Sequence, residues 1–476
     1  MLFNSFDFGF FLVIVYVLYW GIGTKRRVAQ NVLLLVSSYV FYGLWDWRFL
    51  FLILASSLVD YMAGRLIDRT KSNGMRKLAL WGSVFWNIGV LITFKYFNFF
   101  IDNFAVLFSL DIPASGYSFW KVIIPVGLSF YTFQTLSYTI DVYKKRIAPT
   151  KNMLEFLCFV SFFPQLVAGP IERARKLLPQ FEKARKFDFQ TSKEGLRQIL
   201  WGLFKKILVA DKLSIAVTMV FSEPEAYGSV TLIYASLLFF FQIYCDFSGY
   251  TDIAIGTAKL FGFKLSKNFK IPWLSISITE FWMRWHITLT RWFTDYVYIP
   301  ILKSFKKVTG SVRIIAVLVT MFLVGLWHGA NWTFVAFGLI NGLILIVERI
   351  PMFKNKGTLQ KKLYQIPRII SLVYFFFMAA AMSMFFRSES IEQSILIIKR
   401  IATFTPDTHL SSLIGIKLVY LGILIVAEWL TRSWDFPLQK LDIKIPRWSR
   451  WLIYYTIIFF IIRYAEPKEA FIYFQF

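Results

Sequence analysis

Between Ile314 and Ile346 the chain carries one ionisable side chain, His328, in a run long enough to cross a bilayer more than once at roughly 20 residues per crossing. Runs of this kind recur along the sequence and restrict the fold more than any other feature. In hydrocarbon a backbone must satisfy its own hydrogen bonds, so only helices and closed barrels span a membrane, and runs of this length favour helices. Of the 476 residues 57% are hydrophobic, and mean hydropathy is +0.56, far above an ordinary soluble domain. The net charge of +25 sits in short loops between the apolar runs. That is the positive-inside pattern of a membrane protein, and it argues against nucleic acid as the partner of the positive charge and for anionic lipid headgroups. The expected fold class is an all-α polytopic integral membrane protein, a single domain over residues 1–476 in the cytoplasmic (inner) membrane.

With basic loops taken as cytoplasmic, the runs thread into about 11 crossings plus two re-entrant segments. Phe8 to Ile22 reads as a retained first helix, because Lys25-Arg26-Arg27 follow it and no basic stretch precedes it. Val32–Leu44 and Phe49–Ile67 are separated by a turn at Trp45–Arg48, and Leu78 to Phe97 leads to an external loop ending at Tyr117. Met153–Ala168 and Ile271–Pro300 have basic residues on both sides and are the re-entrant pieces. Ile314–Ala330 and Phe334–Val347 form an outward and a returning helix, and Glu348–Arg368 is a basic loop. The two cysteines, Cys158 and Cys245, lie in or beside apolar runs and support no disulfide framework.

An ionisable group at membrane depth is costly and marks function by default. Imidazole changes charge near neutral pH and suits proton transfer, although a histidine bonded to a nearby carbonyl fits the same residue types. Gly325 and Gly329, four apart, clear one helical face for a backbone or a substrate, with Trp327 and Trp332 as walls of the site. In the second re-entrant piece, helical spacing puts Arg284, Thr288 and Arg291 on one face and Trp282, His286 and Leu289 on another. The arginines, with Trp285, suit a phosphate-bearing donor or lipid phosphate. Gln134, Tyr138 and Asp141 share a face, and Asp246 and Asp252 stand in a membrane run, where Asp246 calls for a basic partner. Gln134, Tyr138, Asp246 and Asn331 are candidates for tunnel or structural polar roles. No phosphate-binding glycine loop or metal-ligand cluster is present in the sequence.

The runs Gly325-Leu326-Trp327-His328-Gly329, Trp285-His286, Pro125–Tyr143, Phe163–Arg173, Asp246–Asp252 and Phe471–Phe476 resemble the membrane-bound O-acyltransferase family. The likeness is strongest to its bacterial branch, which includes the membrane subunit of alginate O-acetylation. The resemblance implies a ring of helices with a central tunnel, His328 as catalytic histidine and His286 as its second. It implies transfer of an acyl group, expected to be acetyl, from a cytoplasmic donor such as acetyl-CoA toward an extracytoplasmic polysaccharide. The transfer is direct or runs through a hydrolase-like extracytoplasmic partner protein, and the donor is a substrate, with no permanently bound cofactor. Peptidoglycan O-acetylation and D-alanyl transfer to teichoic acid are alternatives within the family. A proton-coupled or polymer transporter is the alternative from another class, weakened by the lack of internal repeats.

The loop charges predict that Arg173–Lys186 and Glu348–Arg368 face the cytoplasm and Glu223–Gly228 faces out. Impermeant thiol reagents applied from outside should label single cysteines placed in Glu223–Gly228 and spare those in Arg173–Lys186. Labelling of the latter reverses the topology.

Overall fold

A computed structural model describes residues 2–108, 124–167, 169–349, 358–407, 416–464 and 471–472. No β-strand occurs among the described residues, as the apolar runs require. Six helical stretches are long and apolar enough to cross a membrane: Arg27–Arg69, Asn73–Leu107, Ser229–Leu260, Gly310–His328, Trp332–Arg349 and Arg368–Arg387. The shorter apolar helices Phe6–Gly21, Met153–Leu166 and Leu418–Leu430 add to them. Within Arg27–Arg69 the helix breaks at Asp46, whose backbone is extended (φ −159°, ψ 110°) and whose carboxylate accepts the Arg48 N–H. The turn expected at Trp45–Arg48 is therefore present. Large apolar side chains such as Phe51, Phe85, Val106, Ile369 and Phe377 are exposed on these helices, which suits a lipid solvent. The chain is a multi-pass membrane protein.

The chain divides into two compact units, residues 1–196 with 254–266, and residues 197–253 with 267–476. In the first, Asp60 is fully buried and accepts hydrogen bonds from Ser83, from Asn87 (2.8 Å) and from Thr139 (2.9 Å), tying Leu50–Arg69 to Asn73–Leu91 and Leu128–Tyr143. The buried Arg185 donates to the Tyr19 hydroxyl (2.6 Å) and to Asn31 Oδ1 (2.8 Å). The first re-entrant piece is a helix of nine residues, Met153–Ser161, followed by a break at Phe162 and a single turn, Phe163–Leu166. Nine residues rise only about 13 Å. The break is covered by protein: Phe163 N–H donates to the buried Ser38 Oγ at 3.0 Å, as irregular backbone at membrane depth demands.

The second unit begins within helix Phe189–Leu203, which passes through a π-helical stretch, Phe204–Ala210, into Asp211–Ser222. The π-turn carries Lys205 and Lys206 side by side. Lys206 pairs with Asp246 (2.6 Å) and Asp211 (2.8 Å), and Lys205 pairs with Asp252 (2.5 Å). The basic partner required for Asp246 is thus Lys206, and its other carboxylate oxygen accepts the Ile472 N–H at 2.8 Å. Gly310–His328 and Trp332–Arg349 pack closely because Gly325 and Gly338 face each other. A Cβ on Gly325 meets Phe334 O at 2.3 Å, and one on Gly338 meets Met321 O at 2.3 Å. Gly329 admits the Phe334 ring in the same way. These glycines make room for the neighbouring helix and not for a substrate.

Several expectations change. The helix from Asn73 continues through a π-stretch, Ile92–Tyr96, to Leu107, so the segment after Phe97 is helical where a loop was expected. The rest of that loop, residues 109–117, lies outside the described residues. The stretch after Arg387 contains an unexpected helix, Ile391–Ala402, which buries Ser394 and Ile397, with Ser390 accepting from Gln393 N–H at its start. Glu348 is not the start of a loop: it is fully buried within Trp332–Arg349. Both cysteines are buried and free.

The Gly325–Gly338 contact predicts that Gly338→Ala destabilises the protein by about 1–3 kcal/mol, the usual cost of overpacking. Gly9→Ala, where an added Cβ meets nothing within 4 Å, should be neutral. Thermal unfolding of both variants in detergent checks this, and equal midpoints contradict it.

Candidate active site

The second re-entrant piece is built from short helices. Ile278–Arg284 ends where Trp285 becomes extended, and Ile287–Phe293 starts after His286, whose backbone is left-handed (φ 40°, ψ 53°). The single helix read across this stretch does not exist, so Arg284 and Arg291 do not share a helical face. Arg284 is committed to Glu280, with Nη2 2.7 Å from its carboxylate, and donates to Lys270 O at 3.1 Å. Arg291 is exposed. The start of Ile278–Arg284 is held by Glu348, which accepts the N–H groups of Ile278 and Thr279, both at 2.8 Å, and the Tyr374 hydroxyl at 3.0 Å.

The backbone turn sends the His286 ring into the interior, where it is fully buried. Its Nδ1 lies 3.1 Å from Asn268 Oδ1. That oxygen also accepts the Thr288 N–H (3.2 Å) and hydroxyl (2.9 Å). A backbone N–H can only donate, so the Asn268 atom is the amide oxygen and His286 Nδ1 carries the proton. Nε2 is then the basic nitrogen. The ring stands edge-on to Phe247, with centroids 4.7 Å apart, and to Trp327 at 5.4 Å.

Trp327 is also edge-on to His328, at 4.9 Å. One indole therefore separates the two histidines. His328 is the last residue of Gly310–His328, where the sequence reading extends the helix to Ala330. Counted from Gly310 it lies about 27 Å along the axis at 1.5 Å per residue. The carbonyl end of a helix favours a positive charge, which suits a ring that gains one by accepting a proton. His328 is 2% exposed and packs against Phe386 (5.0 Å) and Phe337 (5.6 Å). It lines a cavity of about 40 Å³ with Phe239, Phe240, Trp285, Phe337, Met382 and Phe386. The site has room for a few atoms beside the imidazole, and its lining is mostly apolar.

Trp285 lies in that cavity wall, stacked on Phe281 at 5.3 Å. Trp332, expected as a wall, is 54% exposed. Asn331 has a structural place: it accepts the Thr333 N–H (3.0 Å) and donates to Glu389 O (2.9 Å) at the start of the returning helix. Gln134 and Tyr138 share a face as expected, but both pack within the first unit. Gln134 bonds Phe159 O (2.5 Å) and Gln165 (2.8 Å), and Tyr138 lies on Phe156 at 4.7 Å. Asp141 pairs with Arg146 at 3.1 Å.

Sequence reasoning missed Asn268, Glu348 and Glu428, whose carboxylate accepts Tyr244 OH (2.8 Å) and Trp273 Nε1 (2.7 Å). The two glutamates carried a usable signal, since each is a lone acid ending an apolar run and so calls for a partner. Asn268, inside a basic loop, carried none.

The sequence profile of the membrane-bound O-acyltransferase family matches residues 144–387. The chain is 38% identical over 356 residues to a "Probable alginate O-acetylase" of Pseudomonas putida, covering 73% of this chain and 71% of that protein. It is 32% identical over 403 residues to the peptidoglycan O-acetyltransferase of Helicobacter pylori, covering 79% and 74%. It is 24% identical over 310 residues to the teichoic acid D-alanyltransferase of Streptococcus thermophilus, covering 60% and 74%. Coverage of a second alginate relative, from Azotobacter vinelandii, falls to 63% of its length. A profile that matches half the chain, and relatives 32–38% identical over more than two thirds of it, lead to one assignment: the chain belongs to the membrane-bound O-acyltransferase family.

Proposed function

We propose that this membrane O-acyltransferase moves an acetyl group from a cytoplasmic thioester donor, such as acetyl-CoA, toward a hydroxyl of an extracytoplasmic polysaccharide, with His328 as the general base. The observation that carries the reading is the place of His328: buried, at the carbonyl end of its helix, and facing a cavity of about 40 Å³ walled by aromatic rings. In the transfer, the acceptor oxygen attacks the thioester carbonyl while His328 takes the hydroxyl proton. The C–S bond then breaks, and the imidazolium returns the proton to the departing thiolate. The burial of His328 limits access of water to a thioester bound there. His286, one indole away with Nδ1 fixed by Asn268, is a positioning residue that holds Trp327 and the donor side of the site. Alginate is favoured as acceptor, because the alginate relatives are 36–39% identical and the D-alanyl relatives 24–26%. Residence in the inner membrane and a hydrolase-like partner outside complete the reading, by analogy with the family.

General-base help is typically worth about 10²–10⁴ in rate, or roughly 3–5 kcal/mol of barrier. His328→Ala should therefore lower transfer of radiolabelled acetyl from acetyl-CoA in reconstituted vesicles by at least about 100-fold while leaving the melting midpoint unchanged. His286→Ala and Asn268→Ala should resemble each other and retain a measurable fraction. A folded His328→Ala protein with the parental rate removes the catalytic assignment and leaves a scaffold that docks another acyltransferase.

The arginines divide. Arg291→Ala should raise KM for the thioester without changing thermal stability. Arg284→Ala, which removes the ion pair with Glu280, should also lower the melting midpoint. Unaltered donor KM in both variants assigns these side chains to lipid phosphate.

A further inference from the structure

A second, larger cavity of about 340 Å³ lies within the second unit, outside the histidine cluster, and falls in the size range of ligand sites. It runs along Val317, Met321 and Val324, which are spaced so as to share one face of the helix that ends at His328, and is closed by Met283, Phe293 and Leu345. Of its four threonines, Thr279 alone has a buried hydroxyl without a partner among the described residues, and the other three are spent on backbone carbonyls. Thr290 donates to Trp285 O (3.4 Å), Thr294 to Thr290 O (2.7 Å) and Thr320 to Ala316 O (2.6 Å). The Trp282 indole N–H is spent on Asn341 at 3.1 Å. A pantetheine arm, with two amides to satisfy, finds only the Thr279 and Tyr298 hydroxyls on this wall, whereas a hydrocarbon chain matches the apolar remainder.

One lining residue is charged. Arg349, the last residue of Trp332–Arg349, is exposed and forms no ion pair among the described residues. The helix surface beside the cavity presents Leu343 and Val347, both more than half exposed, to lipid. From Val317 to Val324 the cavity spans two turns, about 10 Å, long enough for part of an acyl chain. We propose that it is a binding site for an anionic phospholipid, with one acyl chain lying along Val317–Val324 and the phosphate on Arg349. Arginine matches phosphate by paired hydrogen bonds, and the inner end of the chain stops one helical turn short of His328. Occupancy braces the helix that carries the catalytic ring.

The test uses the full chain in nanodiscs of phosphatidylcholine doped with phosphatidylglycerol or phosphatidylcholine carrying a photoactivatable acyl chain. Cross-links are mapped to peptides. The phosphatidylglycerol probe should label residues 317–324 and 290–298 several-fold more than the phosphatidylcholine probe. Arg349→Gln should remove that preference, and Thr320→Trp, which fills the cavity, should abolish the labelling. Equal labelling by both probes, or labelling unchanged by Arg349→Gln, reduces the site to ordinary surrounding lipid and overturns the proposal. Protection by excess acetyl-CoA in pure phosphatidylcholine gives the cavity to the donor and overturns it as well. Because Arg349 is exposed, its variant keeps the test decisive even if Thr320→Trp fails to fold.

Discussion

The two 2.8 Å hydrogen bonds that Glu348 accepts from the amides of Ile278 and Thr279 hold the short helix beside the candidate active site in place. A chain built from short helices leaves orphan N–H groups at every break, and where the break is buried they need a protein partner. A buried carboxylate solves this at one break, since it favours the positive end of the helix it caps. From that anchor Ile278–Arg284 delivers Trp285 to the cavity wall. Asn268 does the same at the next break, accepting from Thr288 and thereby fixing His286. The tautomer of His286 thus follows from the way a broken helix is capped.

Buried charge in the second unit follows the same economy. Lys206 between Asp246 and Asp211, and Lys205 with Asp252, leave each carboxylate opposite a cation. Breaking such a pair by removing one partner leaves an uncompensated ion, which costs far more than the pair itself contributes. Both lysines lie in the π-turn at Phe204–Ala210, and Asp246 and Asp252 lie on one helix, Ser229–Leu260.

Much of this was legible in the sequence. The apolar runs announced the helices, the cost of a lone histidine singled out His328, and the cost of a lone aspartate called for the partner found at Lys206. What stayed hidden has a common cause. The break at Trp285–His286 contains neither Gly nor Pro, and its residues keep a tolerable helical period, so periodicity read through it. Trp332 looked like a wall because spacing cannot say where a helix stops, and the chain turns at Gly329 before reaching it. The Gly325–Gly338 contact needed the partner helix to be known before close approach by a backbone could be told from close approach by a substrate.

The left-handed backbone of His286 limits what else this position accepts. For most L-residues that conformation costs roughly 1–2 kcal/mol, and β-branched side chains tolerate it worst. Asparagine, aspartate and glycine enter it most easily. A chain that gave up imidazole here would drift most readily to asparagine, which keeps a hydrogen-bonding group near Trp327. Leucine or valine would have to straighten the turn and so pull Trp285 out of the cavity. The backbone has set the vocabulary of the site before any selection for chemistry acts on it.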